Sequence, residues 1–347
     1  MISQKSSRMR IVTKNVWMVS VAVLFFSQCT GDAPRENPLD PESPLYDARG
    51  QISGRCHRVY DDSRGIPEVQ VILEAVDRRP SAEKRVMSTD ENGAFRFSAV
   101  MPDSYRIVFQ KEGYASDTLY FALQPKETVV RNIPLDARPV VTAARITTGH
   151  ALAIDSVTHR YFLQFEIHTN DPDRDLDIEQ VECQIPGLDI TLSLLPNQDH
   201  TIWTHTVELD TLTVSRPEAF IGEPLVFVVT TNTNFRIRRF VFSPYFLTRF
   251  VHVIPILLSP KNNEVTGPRP TFRWKKPETG FQPLYDFELS RVIGPGEFET
   301  TRIINLQADS SYTHPIRLVI GNYFWRLVLK DQFGNWARSR AETFEVR

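Results

Sequence analysis

The densest group of potential metal ligands in the sequence is a run of alternating aspartates in residues 171–177. Its members are Asp171, Asp173, Asp175 and Asp177. Alternating carboxylates in a loop can surround a hard cation such as Ca²⁺ with oxygen ligands. The run lacks the glycine and the distal glutamate of an EF-hand loop, and Arg174 offsets part of its negative charge. We therefore interpret it as a solvated turn between strands and predict no tight metal site, with these four carboxylates as weak candidates.

A second possible metal site is formed by His205 and Glu208, which have the H-x-x-E spacing of metallocarboxypeptidase zinc ligands. Residues 201–209 have the pattern of a strand, with Trp203 and Val207 on one face. Residues three positions apart in a strand point to opposite faces of the sheet, so His205 and Glu208 would not converge on one ion. We predict no zinc site here.

Motifs of known catalytic chemistry are missing from the sequence. It has no H-E-x-x-H, G-x-S-x-G, Walker A or G-x-G-x-x-G segment, and no cysteine pair with metal-ligand spacing. We therefore predict a protein that is not an enzyme and has no cofactor. The net charge is −2 and no basic stripe occurs, which argues against a nucleic-acid partner.

The N-terminal segment predicts export and lipidation. Its first 14 residues contain the basic side chains Lys5, Arg8, Arg10 and Lys14. Residues 16–26 are an apolar run too short to span a bilayer but suited to a secretory signal peptide. Residues 24–29 resemble a bacterial lipobox, in which the cysteine is lipidated and becomes the mature N-terminus, although Gln28 replaces the usual small residue. We expect residues 1–28 to be the signal peptide and Cys29 to carry the lipid; an ordinary signal peptide or a short anchor helix is the alternative.

The residue after Cys29 is Thr30, so the aspartate that serves as a simple inner-membrane retention cue is absent. We therefore expect an outer-membrane lipoprotein of the cell envelope, with the side of the membrane left open. Residues 29–49 are rich in proline and polar side chains, which predicts an extended tether. Residues 37–44 resemble a linker that follows the lipidated cysteine in envelope lipoproteins.

The other two cysteines, Cys56 and Cys183, lie in strand-like runs of different predicted modules. An exported protein could join them in a disulfide. We favour two separate buried thiols.

The elements that carry these residues are predicted to be strands throughout, which makes the fold class all-β, with tandem β-sandwich domains. Residues 50–138 alternate in polarity, as at Val69, Val71 and Leu73, and Asn92-Gly93 predicts a hairpin turn. Ordered motifs in this span are Gly50-x-Ile52-x-Gly54, Gly65-Ile66-Pro67, Asp90-Glu91-Asn92-Gly93-x-Phe95-x-Phe97 and Lys111-x-Gly113-Tyr114. Together they resemble a carboxypeptidase regulatory-like domain, which implies a transthyretin-like β-sandwich with an accessory rather than a catalytic role.

Two further sandwiches are predicted after residue 138. Residues 139–253 show strand alternation without a family motif, and we interpret them as an immunoglobulin-like domain. Residues 254–347 contain Pro270-Thr271-Phe272-x-Trp274 and Gly321-x-Tyr323-x-Trp325, which resemble a fibronectin type III-like domain of bacterial surface proteins. That resemblance implies that Trp274 is the core tryptophan and that Tyr323 forms a tyrosine corner.

The predicted function is that of a lipid-anchored, non-enzymatic envelope or cell-surface protein that binds a polysaccharide or a protein partner. An alternative is a structural component of an outer-membrane complex, and an accessory part of a hydrolase system is less favoured. Five aromatic residues could build a platform for sugars, although we favour core or interdomain packing for most of them: Trp203, Tyr245, Phe246, Phe250 and Trp336.

Overall fold

The structure is a computed structural model that describes residues 37–43, 45–76, 84–153, 157–214, 216–306 and 310–347. Cys29 and the predicted signal peptide lie outside these residues. The described part consists of β-strands and short 3₁₀ helices without an α-helix, so the prediction of an all-β fold is confirmed. It contains no helix long and apolar enough to cross a membrane.

By contact density the chain divides into two compact units. Described residues up to Cys56, together with Gly65–Phe109 and Asp117–Ile133, belong to the first. His57–Arg64, Gln110–Ser116 and Pro134–Arg347 belong to the second. The strands up to residue 135 are β1 (Gly50–Arg58), β2 (Asp61–Gly65), β3 (Gln70–Ala75), β4 (Lys84–Ser88), β5 (Ala94–Val100), β6 (Asp103–Gln110), β7 (Asp117–Leu123), β8 (Thr128–Val130) and β9 (Ile133–Leu135).

The first unit is built from two sheets. In one, β1 pairs antiparallel with β5 and parallel with β8; in the other, the strand order is β4-β3-β6-β7. Alternating apolar side chains fill the space between them, and the rings of Phe95 and Phe109 meet edge to face across it at 5.5 Å. The hydroxyl of Tyr105 donates to the carbonyl of Met101 at 2.9 Å.

The turn at Asn92-Gly93 is not the predicted hairpin, because it joins strands of different sheets. β4 pairs with β3, whereas β5 pairs with β1. The Asp90 carboxylate closes the turn by accepting the backbone N–H groups of Asn92 and Ala94. Gly93 has a φ of 77°, and its carbonyl accepts the N–H of Cys56 at 2.8 Å. A Cβ at position 93 would lie 2.3 Å from the Cys56 carbonyl oxygen, so the chain needs glycine there.

The second unit contains all later strands. Those before residue 250 are β10 (Val140–Leu152), β11 (His159–Asn170), β12 (Ile178–Ile185), β13 (Ile190–Ser193), β14 (Leu195–Pro196), β15 (Ile202–Glu208), β16 (Pro224–Thr233), β17 (Arg236–Val241) and β18 (Tyr245–Phe246). Those after it are β19 (Leu257–Ser259), β20 (Glu264–Thr266), β21 (Thr271–Trp274), β22 (Leu284–Gly294), β23 (Glu297–Leu306), β24 (Ser311–Thr313), β25 (Gly321–Lys330), β26 (Trp336–Arg338) and β27 (Glu342–Val346). Four 3₁₀ helices occupy Asp175–Asp177, Pro186–Leu188, Leu209–Thr211 and Pro217–Phe220.

One large sheet runs through the second unit in the order β14-β15-β11-β10-β26-β25-β22-β23. Its two halves meet where β10 pairs in parallel with β26, with Gly149 opposite Trp336. A sheet with β13, β12, β16 and β17 faces the first half, and a sheet of β19, β21 and β24 faces the second. The spans 139–253 and 254–347 thus have separate apolar cores but share a sheet. The division into two domains at residue 253 stays a prediction.

Landmarks predicted for residues 254–347 are present. Trp274 is buried in the second core, and the hydroxyl of Tyr323 donates to the carbonyl of Val319 at 2.9 Å. This bond to a carbonyl four residues upstream is the contact that a tyrosine corner makes.

Cys56 and Cys183 are both free and buried, and burial raises the pKa of each thiol to about 12. The interpretation as separate buried thiols is confirmed.

Gly149 lies where the two halves of the large sheet meet, and a larger residue there should destabilise the protein. In Gly149→Ala, the new Cβ would lie 2.4 Å from the Trp336 ring, so the indole has to shift. We expect the free energy of unfolding to fall by about 1–3 kcal/mol, as for other overpacked sites. The matched control is Gly267→Ala, where no atom lies within 4 Å of the added carbon. Urea denaturation of both variants measures the difference, and equal stabilities would show that the Trp336–Gly149 contact contributes little.

Candidate functional site

The aspartate run forms a turn held by its own carboxylates. The Asp175 carboxylate accepts the backbone N–H of Asp171 at 2.7 Å, and the Asp171 carboxylate accepts that of Asp173 at 3.0 Å. Such side-chain-to-backbone bonds are the ordinary way in which aspartate stabilises a turn. The acidic side chains therefore serve as acceptors for nearby N–H groups.

The other two carboxylates each also bind a group from outside the turn. Asp177 pairs with Arg174 at 2.6 Å and accepts the hydroxyl of Tyr60 at 2.6 Å. Asp173 accepts the backbone N–H of Ala137, also at 2.6 Å. Each of the four carboxylates thus has a different partner. Among the described residues, no group of three or more acidic, histidine or cysteine side chains is arranged to hold a metal ion.

Asp171 is the most perturbed member of the run. Its side chain is buried, and burial raises its pKa to about 7, with the Asp173 charge acting in the same direction. Asp136 is also buried; its pKa is raised by burial, while an ion pair with Arg238 at 3.0 Å opposes the shift. The unit therefore encloses several carboxylates that are costly to ionise.

The raised pKa of Asp171 predicts a pH-dependent stability. The folded protein holds this proton up to about pH 7, whereas an unperturbed aspartate releases it near 3.8. Between these values the folded state binds more protons, so the free energy of unfolding falls as pH rises through this window. Asp171→Asn cannot ionise, and it should be more stable than the parent at pH 8 by roughly 1–4 kcal/mol, with the gain shrinking towards pH 4.

Urea denaturation at several pH values between 4 and 8 tests this prediction. Asp199→Asn is the control, because Asp199 is exposed. Its stability difference from the parent should stay close to zero throughout. A stability difference for Asp171→Asn that does not change with pH would show that Asp171 has an ordinary pKa.

The H-x-x-E pair lies on β15. The burial pattern of this strand places Trp203 and Val207 in the core and leaves Thr204 and Thr206 exposed on the other face. Glu208 lies on that outer face and forms an ion pair with Arg160, whereas His205 lies on the core side. The strand therefore separates His205 from Glu208, and the pair does not form a joint site.

The aromatic candidates do not form one platform. Trp203 and Phe250 are buried in the core, and Tyr245 packs against its edge, whereas Phe246 is exposed. Trp336 lines a cavity. Its indole lies over Gly149, its ring stacks on Phe162 at 5.9 Å, and its N–H donates to Gln164 at 2.7 Å.

That cavity is the candidate functional site of the second unit. It has a volume of about 480 Å³ and lies on the outer face of the large sheet. Its walls come from seven neighbouring strands, from β15 to β23, and are mainly polar. The side chains include Arg145, Thr147, Gln164, Glu166, Thr204, Thr206, Asp286, Glu288, Arg302, Lys330, Trp336 and Arg338. This arrangement offers hydrogen bonds and charges to a ligand.

The acidic side chains on one side of the cavity are held by ion pairs. Asp286 pairs with Lys330 at 2.7 Å and with Arg302 at 3.4 Å. Glu288 pairs with Arg302 at 3.2 Å and makes a closer pair with Arg326. These crossed pairs fix several long side chains in one geometry, which lowers the entropy lost when a ligand binds.

Sequence reasoning missed this cavity. Its residues lie between positions 145 and 338, and no short motif contains them. The sequence feature that could have indicated it was the set of polar residues on one face of each alternating strand, such as Thr204 and Thr206 on β15. Alternation shows that such residues face outward, but it does not show which strands are neighbours.

Comparisons with known proteins agree with part of the sequence analysis. Residues 51–136 match the family model of the carboxypeptidase regulatory-like domain, so the chain carries such a domain and the resemblance is confirmed. No curated protein matches this chain.

Several solved structures are similar to large parts of the chain. BcpA, the major pilin subunit of Bacillus cereus, is 10% identical with a TM-score of 0.30, over 86% of this chain and 95% of that one. The fibronectin(III)-like modules of Clostridium thermocellum CbhA are 13% identical with a TM-score of 0.29, over 60% and 93%. A DUF3823 family protein from Parabacteroides merdae is 11% identical with a TM-score of 0.25, over 58% and 98%. TM-scores this low say nothing about what this chain binds.

Proposed function

We propose that this chain is a lipid-anchored, non-enzymatic envelope protein that binds a polysaccharide on the outer face of its large sheet. The observation that carries the proposal is the polar cavity of about 480 Å³ that seven strands form. This volume lies within the range of ligand sites in proteins. Carbohydrates are recognised by hydrogen-bonding side chains beside aromatic rings, and the cavity supplies hydroxyl, amide and charged groups beside the Trp336 indole.

The rigid sheet supports this function. A binding site on strands is held more firmly than one on loops, because each strand is fixed by its neighbours. The immunoglobulin-like and fibronectin type III-like modules would then act together, since each contributes one half of the sheet. In this proposal the carboxypeptidase regulatory-like domain is an accessory module and the N-terminal tether links the chain to an outer-membrane lipid.

The alternative role in an envelope assembly is favoured by one observation. β23 is the last strand of the large sheet in its strand order, and it exposes Phe298 and Ile304. An unpaired strand edge with apolar side chains can bind a strand of another protein. An accessory role in a hydrolase system has no comparable support and stays the less favoured candidate.

Filling the cavity should abolish polysaccharide binding. Thr206→Trp places an indole on the exposed face of β15 within the cavity wall. Affinity electrophoresis through gels with dextran, xylan, alginate or polygalacturonate should show that at least one of them retards the parent protein. We expect Thr206→Trp to be retarded less, with an apparent affinity for that polysaccharide at least tenfold lower than that of the parent.

The control is Thr191→Trp, which adds the same side chain at an exposed position of β13, in another sheet. It should bind like the parent. If none of the polysaccharides retards the parent, or if Thr206→Trp binds as well as Thr191→Trp, the cavity is not a polysaccharide site.

The lipid anchor has its own test. In bacteria that process lipoproteins, Cys29→Ser should lose incorporation of a clickable fatty acid and should leave the membrane fraction. Cys56→Ala is the control, because Cys56 is a buried thiol and its removal should not affect labelling. A Cys29→Ser product that is still labelled and has the same processed mass would contradict lipidation at this cysteine.

A further inference from the structure

Some charged side chains of the cavity wall have ion-pair partners and others do not. On one side, Asp286 and Glu288 are paired with Lys330, Arg302 and Arg326. Glu166, on the other side, accepts a hydrogen bond from the His168 ring at 3.0 Å. The carboxylates that line the cavity therefore already have partners.

Two cations of the cavity wall lack such partners. Arg145 and Arg338 form no ion pair with any of the residues that the structure describes. Arg338 is half-buried, and its guanidinium lies 5.7 Å from the centre of the Trp336 ring. Burial lowers the pKa of Arg338, the nearby Arg326 acts in the same direction, and the charge of Glu288 opposes the shift. A guanidinium that is partly withdrawn from water and makes no ion pair is stabilised when an anion binds beside it.

The position of the site argues for a sugar chain rather than a peptide. An extended peptide usually binds a sheet by adding a strand at its edge. This cavity lies on the face of the sheet, and Arg338 is on β26, between β10 and β25. The backbone groups there already pair with neighbouring strands, so they are not available to a peptide. Side-chain hydroxyl and amide groups remain, and these suit a hydroxylated ligand.

The size of the site argues for a polymer. Seven neighbouring strands contribute to its wall. With strands spaced about 4.8 Å apart, the wall extends over roughly 29 Å across the sheet. A ligand that reaches from Thr204 on β15 to Arg302 on β23 has to be an oligomer.

We infer that the ligand is an anionic polysaccharide whose carboxylate or sulfate groups pair with Arg338 and Arg145. This inference rests on the proposed function and names the chemical class of its ligand. The planar guanidinium can hold either anion through two parallel hydrogen bonds. The polysaccharide lies across the strands, with its hydroxyl groups near Thr204, Thr206 and Gln164.

Matched charged and neutral polymers provide the test. Isothermal titration calorimetry with the full chain compares polygalacturonate with carboxyl-reduced polygalacturonate, and dextran sulfate with dextran. We expect at least tenfold tighter binding of one charged polymer than of its neutral counterpart. The difference between the two pairs shows whether carboxylate or sulfate is preferred.

Arg338→Gln should weaken binding of the charged polymer about ten- to a hundredfold, because one charge-assisted contact is lost. It should leave binding of the neutral polymer unchanged. Arg273→Gln is the control, since Arg273 is an exposed arginine on β21, in another sheet. It should bind both polymers like the parent. Circular dichroism and melting temperature of both variants show that the fold is retained.

The outcomes separate the inference from the proposed function. Equal binding of charged and neutral polymers, with no effect of Arg338→Gln, overturns the inference but leaves polysaccharide binding intact. Loss of discrimination in Arg273→Gln as well as in Arg338→Gln also overturns it, because the attraction is then nonspecific. Absence of binding to all four polymers overturns both.

Discussion

The parallel pairing of β10 with β26 is the contact on which the second unit depends. It joins strands nearly 190 residues apart, with Gly149 opposite Trp336 and Ala151 opposite Arg338. Without it, the sheet would end on one side at β10 and on the other at β26, which also pairs with β25. The polar cavity would then lose its continuous wall, and Arg338 would not lie near the side chains of β11.

A buried polar network accompanies this pairing. The amide oxygen of Asn335 accepts the backbone N–H of Thr148 at 2.9 Å, and its amide nitrogen donates to Asp331 at 2.9 Å. The hydroxyl of Thr148 donates to the carbonyl of Arg249 at 3.0 Å. Satisfied networks of this kind rigidify a junction, because breaking one bond leaves a buried polar group unpaired. The network ties the turn before β26 to the segment between the two cores.

The use of charge differs between the two acidic regions of this unit. In the aspartate turn, the carboxylates accept backbone N–H groups and the hydroxyl of Tyr60, which is a structural role. In the cavity, Asp286 and Glu288 hold Arg302 and Lys330 in place, while Arg338 makes no ion pair with any of the described residues. Composition cannot distinguish these cases, because the sequence shows where the charges are but not their partners.

The sequence by itself determined the strands, their buried faces and the local contacts. Alternation at Leu163 and Phe165 shows which side chains enter the core, and the resemblance of residues 254–347 to a fibronectin type III-like domain implies the tyrosine corner at Tyr323. These features depend on period-two geometry and on neighbours a few residues away. Only the tertiary structure decided that β26 lies beside β10, and that β4 and β5 belong to different sheets. Strand alternation encodes which face is apolar but not which strand is adjacent, so distant pairings depend on how whole faces pack.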